Sequence, residues 1–249
     1  MDLANRVAII TGASRGIGHQ ISKALAHRGA KVALVARKTD GLQIVQDEIR
    51  SKGDEAASFP CDITNASDVN AMVAKVHAFY GRIDILINSA FWGPPASIED
   101  TTEEFWDRTL DTTLKAPYLC ARAVIPIFKE NGGGRIVNIG SRSGKEGENN
   151  RTAYCAAKFG LAGLTAALAV ELTRFNIHVH LITPDATHTP WWYEAGANMT
   201  RETIARMIPP EVIAEVVCLV ISQPNQVHIP DVPVYNFLDP FEGNDSPVK

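Results

Sequence analysis

Residues 7–18 read Val7-Ala8-Ile9-Ile10-Thr11-Gly12-Ala13-Ser14-Arg15-Gly16-Ile17-Gly18, and this stretch decides the fold. A short apolar run stops at Gly12, and an amphipathic pattern takes over at 16–29. A near-continuous Val/Ile run suits a strand buried on both faces. Glycines at such a strand-to-helix junction have physical tasks. One permits a tight turn at positive φ, one lets a phosphate approach the backbone, and one lets helix and strand pack closely. The helix N-terminus beyond them presents free N–H groups and the positive end of its dipole to phosphates. The strand–turn–helix context distinguishes this from a Gly-rich surface turn.

The same rhythm continues along the chain. Further strand-like runs lie at 31–36, 56–60, 83–87, 135–139, 178–182 and 232–235. Helical patterns lie at 16–29, 40–52, 67–80, 102–130, 152–175 and 210–223. This alternation implies βαβ units with right-handed crossovers. The fold class expected is α/β: a doubly wound parallel sheet of about seven strands, helices on both faces, in a single domain over 1–249. Residues 188–208 break the rhythm with clustered aromatics and Gly196, and read as a lid-like insertion. The tail from Pro240, polar with Gly and Pro, is expected to end loosely ordered.

Bulk properties narrow the function classes. The chain has 249 residues, net charge −4, 45% hydrophobic and 21% charged residues. It is long enough to bury a large core without staples. Without a basic block, a nucleic-acid partner has no electrostatic support. No apolar run is read as long enough to cross a bilayer, so no membrane partner is expected. The first residues lack the pattern of a signal peptide. Cys61, Cys120, Cys155 and Cys218 are scattered, with no CxxC. They read as reduced thiols in a cytoplasmic protein, and no metal site is expected.

Two further constellations carry chemistry. The second strand-like run ends Val35-Ala36-Arg37-Lys38. An acid there would accept from a ribose 2′-hydroxyl; Ala36 followed by two cations suits a 2′-phosphate instead. Arg15 is placed to bind the same phosphate from the glycine loop, while Arg37 and Lys38 also read as solvated charges at a helix start. The preferred dinucleotide is therefore NADP(H). Tyr154-Cys155-Ala156-Ala157-Lys158 puts Tyr154 and Lys158 on one helix face. A nearby ammonium favours the phenolate and lowers the tyrosine pKa, giving an acid–base group for a substrate oxygen.

The TGxxxGxG spacing, with Ser141 thirteen residues before Tyr154, resembles the short-chain dehydrogenase/reductase family. The resemblance covers residues 5 to about 235 and is weakest beyond 184. It implies a Rossmann-type oxidoreductase, a homotetramer or homodimer, that moves hydride between NADP(H) and a small-molecule carbonyl or secondary alcohol. In that scheme Tyr154 is the acid/base, Ser141 polarises the oxygen, and Lys158 tunes Tyr154 and binds the nicotinamide ribose. Thr113 stands where the family has the Asn of its tetrad. That Asn helps hold a helix irregularity, and a Thr at this position is expected to bond a carbonyl one turn back.

The cofactor wall implied is Gly12, Ser14, Arg15, Gly16, Ile17, Gly18, Arg37, Lys38, Asp62, Ile63, Asn88, Ala90, Pro184, Thr187 and Thr189, with Tyr154 and Lys158. Asp62 matches the family's adenine-binding Asp and also reads as a cap of the following helix. Asn88 reads equally as sheet-stabilising. Departures from the pattern include Phe91 in place of a Gly, Asp185 near the nicotinamide, and a variant ending over 223–232. The substrate pocket is read as Ser141, Ser143, Phe91, Trp92, Trp191, Trp192 and Tyr193, the aromatics serving equally well as lid or interface packing. The departures also motivate an alternative, a nucleotide-binding sensor of the same fold with little turnover.

Overall fold

The computed structural model describes residues 2–241. Seven strands form one sheet: β1 (Val7–Thr11), β2 (Lys31–Ala36), β3 (Ala56–Pro60), β4 (Ile85–Asn88), β5 (Gly134–Ile139), β6 (Ile177–Pro184) and β7 (Asp231–Val234). Their order is β3-β2-β1-β4-β5-β6-β7, every neighbouring pair parallel. Alternation along β1 explains its unbroken apolar run. Ala8 and Ile10 enter the core on one face, Val7 and Ile9 the core on the other.

The first face is covered by α1 (Gly16–His27), α2 (Thr39–Arg50) and α9 (Pro210–Ile221), through Ile21, Leu25, Leu42, Val45, Ile213 and Val217. The second is covered by α3 (Ala66–Tyr80), α5 (Ala116–Glu130) and α6 (Thr152–Leu172), through Val69, Val76, Val124, Phe128 and Leu172. The chain reverses direction across the sheet between β1 and β4, which opens a crevice at the strands' C-terminal ends.

Several expectations need correction. Strand β4 starts at Ile85, not Ile83; the buried Asp84 before it still exchanges backbone bonds with Val7 and Arg135, while its carboxylate is held by Arg6, Arg82 and the Val7 amide. The helix expected over 102–130 is interrupted. α4 (Glu103–Leu110) passes into a π-helical turn at Asp111–Lys115 before α5 begins. Residues 152–175 are long and apolar enough to meet the length and composition of a membrane span, contrary to the sequence reading. This stretch includes α6, which lies along β6 and buries Tyr154 and Lys158. The insertion holds two short helices, α7 (Pro190–Glu194) and α8 (Arg201–Arg206). It is closed at its base where His188 N donates to Ile208 O and Ile208 N to Ala186 O. Of the loosely ordered tail expected from Pro240, all but Pro240 and Phe241 lies outside the described residues. Phe241 itself packs on Trp192 with ring centroids 5.1 Å apart.

Candidate active site

A cleft of about 1570 Å³ runs along the C-terminal ends of the strands. One end is the glycine loop. Gly12 has φ +68, and a Cβ there would stand 2.9 Å from the Ala90 backbone. Thr11 Oγ1 accepts from the Ser89 and Ala90 amides, so the ends of β1 and β4 are tied together beside this turn. A Cβ on Gly18 would fall 2.4 Å from Gly12 O, so the start of α1 packs against the loop only without one. No side chain caps α1, and Gly16, Ile17 and Gly18 line the cleft with their amides available. This geometry fits a pyrophosphate.

Arg37, Lys38, Asp62 and Ile63 line the adjoining wall. Asp62 is not the cap of α3; Asn65 is, accepting from Ser67 and Asp68 amides. Asp62 instead accepts from the Thr64 amide and hydroxyl, which hold its carboxyl below the ordinary carboxylate range with help from Arg37. Arg15 also lines the cleft. It forms an ion pair with Glu194 of α7, so the insertion is latched to the glycine loop. Thr189 also meets the loop, 3.4 Å from where a Gly16 Cβ would lie.

Ser141, Tyr154 and Lys158 meet at the other end of the cleft. Ser141 follows β5, and α6 brings Tyr154 and Lys158 beside it. Ser141 Oγ lies 3.2 Å from Ser143 Oγ, which donates to Glu148 Oε1 at 2.6 Å. Lys158 Nζ donates to Ile139 O at 2.7 Å. Burial pushes Lys158 down to about 7, and Arg151 adds to the effect. Burial raises Tyr154, while the Arg151 charge and a hydrogen bond with Ser141 oppose it. The expected Lys158-driven lowering is thus corrected. The cation closest in effect is Arg151, whose guanidinium sits 4.1 Å from the Tyr154 ring centroid. Lys158 is too deeply buried to hold a full charge at neutral pH.

Thr113 is buried and outside the cleft lining. It bonds no carbonyl one turn back. Its Oγ1 donates to Trp92 O at 2.9 Å and accepts from Trp92 N at 3.1 Å, pinning the π turn to the segment after β4. The helix irregularity therefore persists with Thr in place of Asn. Asn88 is likewise inside the sheet, donating to Asn138 Oδ1 at 2.8 Å. Its sheet-stabilising role is the one the geometry gives. Trp92 turns away onto Phe105 and under Arg108, and Tyr193 is half exposed and bonded to His188, so neither lines the cleft. Phe91, Trp191, Trp192 and Ser143 do.

Phe91 contacts both Tyr154 and Trp191, with ring centroids 5.8 and 5.9 Å away. Trp192 Nε1 donates to Thr187 O, and Thr187 Oγ1 to Asp185 O. Asp185 accepts from Arg142 Nη1 at 3.0 Å, which neutralises the carboxylate beside Pro184. Arg151, Glu148 and Glu194 were not singled out from sequence. Arg151, at the N-cap of the helix bearing Tyr154, carried a positional signal; Glu148 and Glu194 carried none.

The family model described as short chain dehydrogenase matches residues 6–200. The chain is 36% identical over 219 residues to the (2S)-[(R)-hydroxy(phenyl)methyl]succinyl-CoA dehydrogenase subunit BbsD of Thauera aromatica, covering 86% of this chain and 88% of that one. A metagenomic short-chain oxidoreductase solved with NADP superposes with TM-score 0.83 at 35% identity, over 96% of this chain and 100% of that one. The 3-ketoacyl-(acyl-carrier-protein) reductase of Brucella melitensis, solved with NADH, gives TM-score 0.86 at 33% identity, over 93% and 97%. With the glycine loop, the Ser141–Tyr154–Lys158 cluster and these matches together, the chain belongs to the short-chain dehydrogenase/reductase family of oxidoreductases.

Proposed function

We propose that this protein is an NADP(H)-dependent oxidoreductase acting on a carbonyl or secondary alcohol, with Tyr154 as its acid/base. The observation that carries this reading is that Ser141, Tyr154 and Lys158 share one cleft with the glycine loop and Arg37. The glycine loop and the uncapped start of α1 would hold the pyrophosphate. Arg37 and Lys38, with Ala36 in place of an acid, would hold a 2′-phosphate. A bound nicotinamide supplies or accepts the hydride.

The protein's own groups manage the oxygen of the substrate. Tyr154 passes a proton to it on reduction and takes one on oxidation. The Ser141 hydroxyl donates to the same oxygen as negative charge develops. Lys158, anchored on Ile139 O, would use its remaining N–H groups to hold the ribose and keep the Tyr154 proton exchangeable. Phe91, Trp191 and Trp192 give the mouth an apolar, planar character that suits an aromatic-bearing substrate.

Similar structures hold NADP in one case and NADH in another, so the cofactor preference rests on residues 36–38. Initial rates with NADPH and NADH across a carbonyl panel test it; higher kcat/KM with NADH would overturn the preference. Tyr154→Phe is expected to lose turnover by about 100-fold or more while NADPH binding is kept. Near-normal turnover would end the acid/base assignment. Tight NADPH binding with no oxidation on any carbonyl would favour the sensor reading instead. We further infer a cytoplasmic homo-oligomer. The four cysteines are free thiols, and Phe159 and Val170 leave apolar surface exposed on α6.

A further inference from the structure

The N-terminal half of β6 carries His178 and His180, two residues apart and so on one face, at the end of the sheet away from the cleft. His228, in the segment between α9 and β7, comes to meet them. Its ring centroid lies 5.7 Å from that of His178 and 5.1 Å from that of His180. The candidate ligand nitrogens all lie within 4.8 Å of one another.

His180 fixes the chemistry of the group. It is 1% exposed, and its Nδ1 lies 2.7 Å from Ile229 O. A carbonyl only accepts, so Nδ1 carries the proton and Nε2 the lone pair. That Nε2 is buried with no hydrogen-bond partner among the described residues. A native interior rarely leaves such an atom unpaired without a reason.

We propose that His178, His180 and His228 form a transition-metal site for a borderline divalent cation such as Zn²⁺, with a fourth position facing solvent. Three neutral imidazoles suit Zn²⁺, Cu²⁺ or Ni²⁺. The Nδ1–H of His180 on Ile229 O is the orienting outer bond that metal-bound histidines usually make. Tetrahedral bonds of about 2.0–2.1 Å put ligand nitrogens about 3.4 Å apart, so the group must contract by roughly 1.4 Å at its widest. The exposed His228 supplies that movement. Arg135, engaged with Gln223 O and Asn225 Oδ1, places a positive charge beside the group. That charge opposes any dication alike; it is the all-imidazole ligand set, with no carboxylate among the three, that disfavours hard ions such as Mg²⁺ or Ca²⁺. The bound ion would clip the strand before the active-site loop to the segment leading into β7.

The full-length, tag-free chain, stripped with a chelator, is titrated with Zn²⁺ against a chromophoric competitor, and Tm is recorded with and without Zn²⁺. One equivalent with submicromolar Kd and a Zn²⁺-dependent rise in Tm are expected. Co²⁺ should give the strong visible bands of a four-coordinate ion. His228→Ala, at an exposed position, should weaken binding by more than about 100-fold, since even outer-shell changes cost about 10–100-fold. The Tm rise should vanish with it. His178→Ala should do the same, and turnover should be kept in both. Absent saturable binding, or binding left intact in both variants, overturns the site.

Discussion

Replacing Arg151 by Gln asks which cation governs Tyr154. The guanidinium carbon lies 4.1 Å from the Tyr154 ring centroid, and the Arg151 side chain is 11% exposed. With the charge roughly 5 Å from the phenolic oxygen and an effective dielectric of about 20, the attraction is about 3 kcal/mol, or about 2 pK units. Glu148, whose carboxylate is 3.9 Å from Arg151 Nε, offsets part of that charge, which leaves roughly one unit. The sign follows directly: the cation favours the phenolate, so its loss raises Tyr154 further.

A second effect opposes the first. Arg151 also holds Lys158 down, so its removal lets Lys158 keep its proton to higher pH. The direct effect dominates because the Lys158 Nζ is farther from the ring centroid, at 5.5 Å. The assay is kcat/KM for alcohol oxidation against pH, a direction that needs deprotonated Tyr154. In Arg151→Gln the rising limb should move up by about one pH unit, with the high-pH plateau and the Kd for NADPH retained. Arg151→Lys should recover part of the shift. A limb that stays in place or moves down refutes the reasoning and returns the governing charge to Lys158.

Two further outcomes follow from burial and packing. Lys158 falls from its ordinary 10.5 to about 7 in the fold, while the unfolded chain keeps that proton up to about 10.5. The penalty is therefore complete below pH 7, fades between pH 7 and 10.5, and is gone above. Lys158→Met should stabilise the protein by about 2 kcal/mol at pH 6 and hardly at all at pH 10, while abolishing turnover. Urea unfolding at the two pH values checks this, and a variant less stable than wild type at pH 6 contradicts it. At the start of β5, a Cβ on Gly134 would fall 2.3 Å from the ring of Phe128, which is fully buried. Gly134→Ala should cost about 1–3 kcal/mol in urea unfolding with NADPH affinity unchanged. A loss below about 0.5 kcal/mol would mean that the Phe128 layer yields freely.

What was legible in sequence was what local pattern encodes. Strands buried on both faces show as Val/Ile runs, and a strand–glycine–helix junction shows as itself. The π turn at Asp111–Lys115 does not show in the periodicity, because an apolar stripe before and after it keeps a helical period; only the family resemblance at Thr113 pointed to an irregularity there. Asp62 as a helix cap was plausible until Asn65 proved to hold the amides of α3. The Arg15–Glu194 ion pair is invisible in sequence because its partners are distant and meet only when the insertion folds over the loop. Arg151 escaped notice for a related reason. Its backbone bridges to Ala96, a non-local pairing that no local pattern announces.

Three departures from the family pattern around the site share a feature that bears on function: each has a partner in contact. Asp185 replaces a glycine, yet its charge is met by Arg142. Thr113 replaces an asparagine, yet it holds both backbone groups of Trp92 and the π turn survives. Phe91 replaces another glycine, and its ring fills the space between Tyr154 and Trp191. A site decaying after loss of turnover has no reason to keep its changes paired. Unpaired charge and broken bonds in a buried cleft would be the expected residue of decay. Here Phe91 and Asp185 line the cleft, Thr113 is buried outside it, and Ser141, Tyr154 and Lys158 remain gathered in the cleft. That distribution fits an oxidoreductase retuned for a different substrate better than a sensor built from a disabled one.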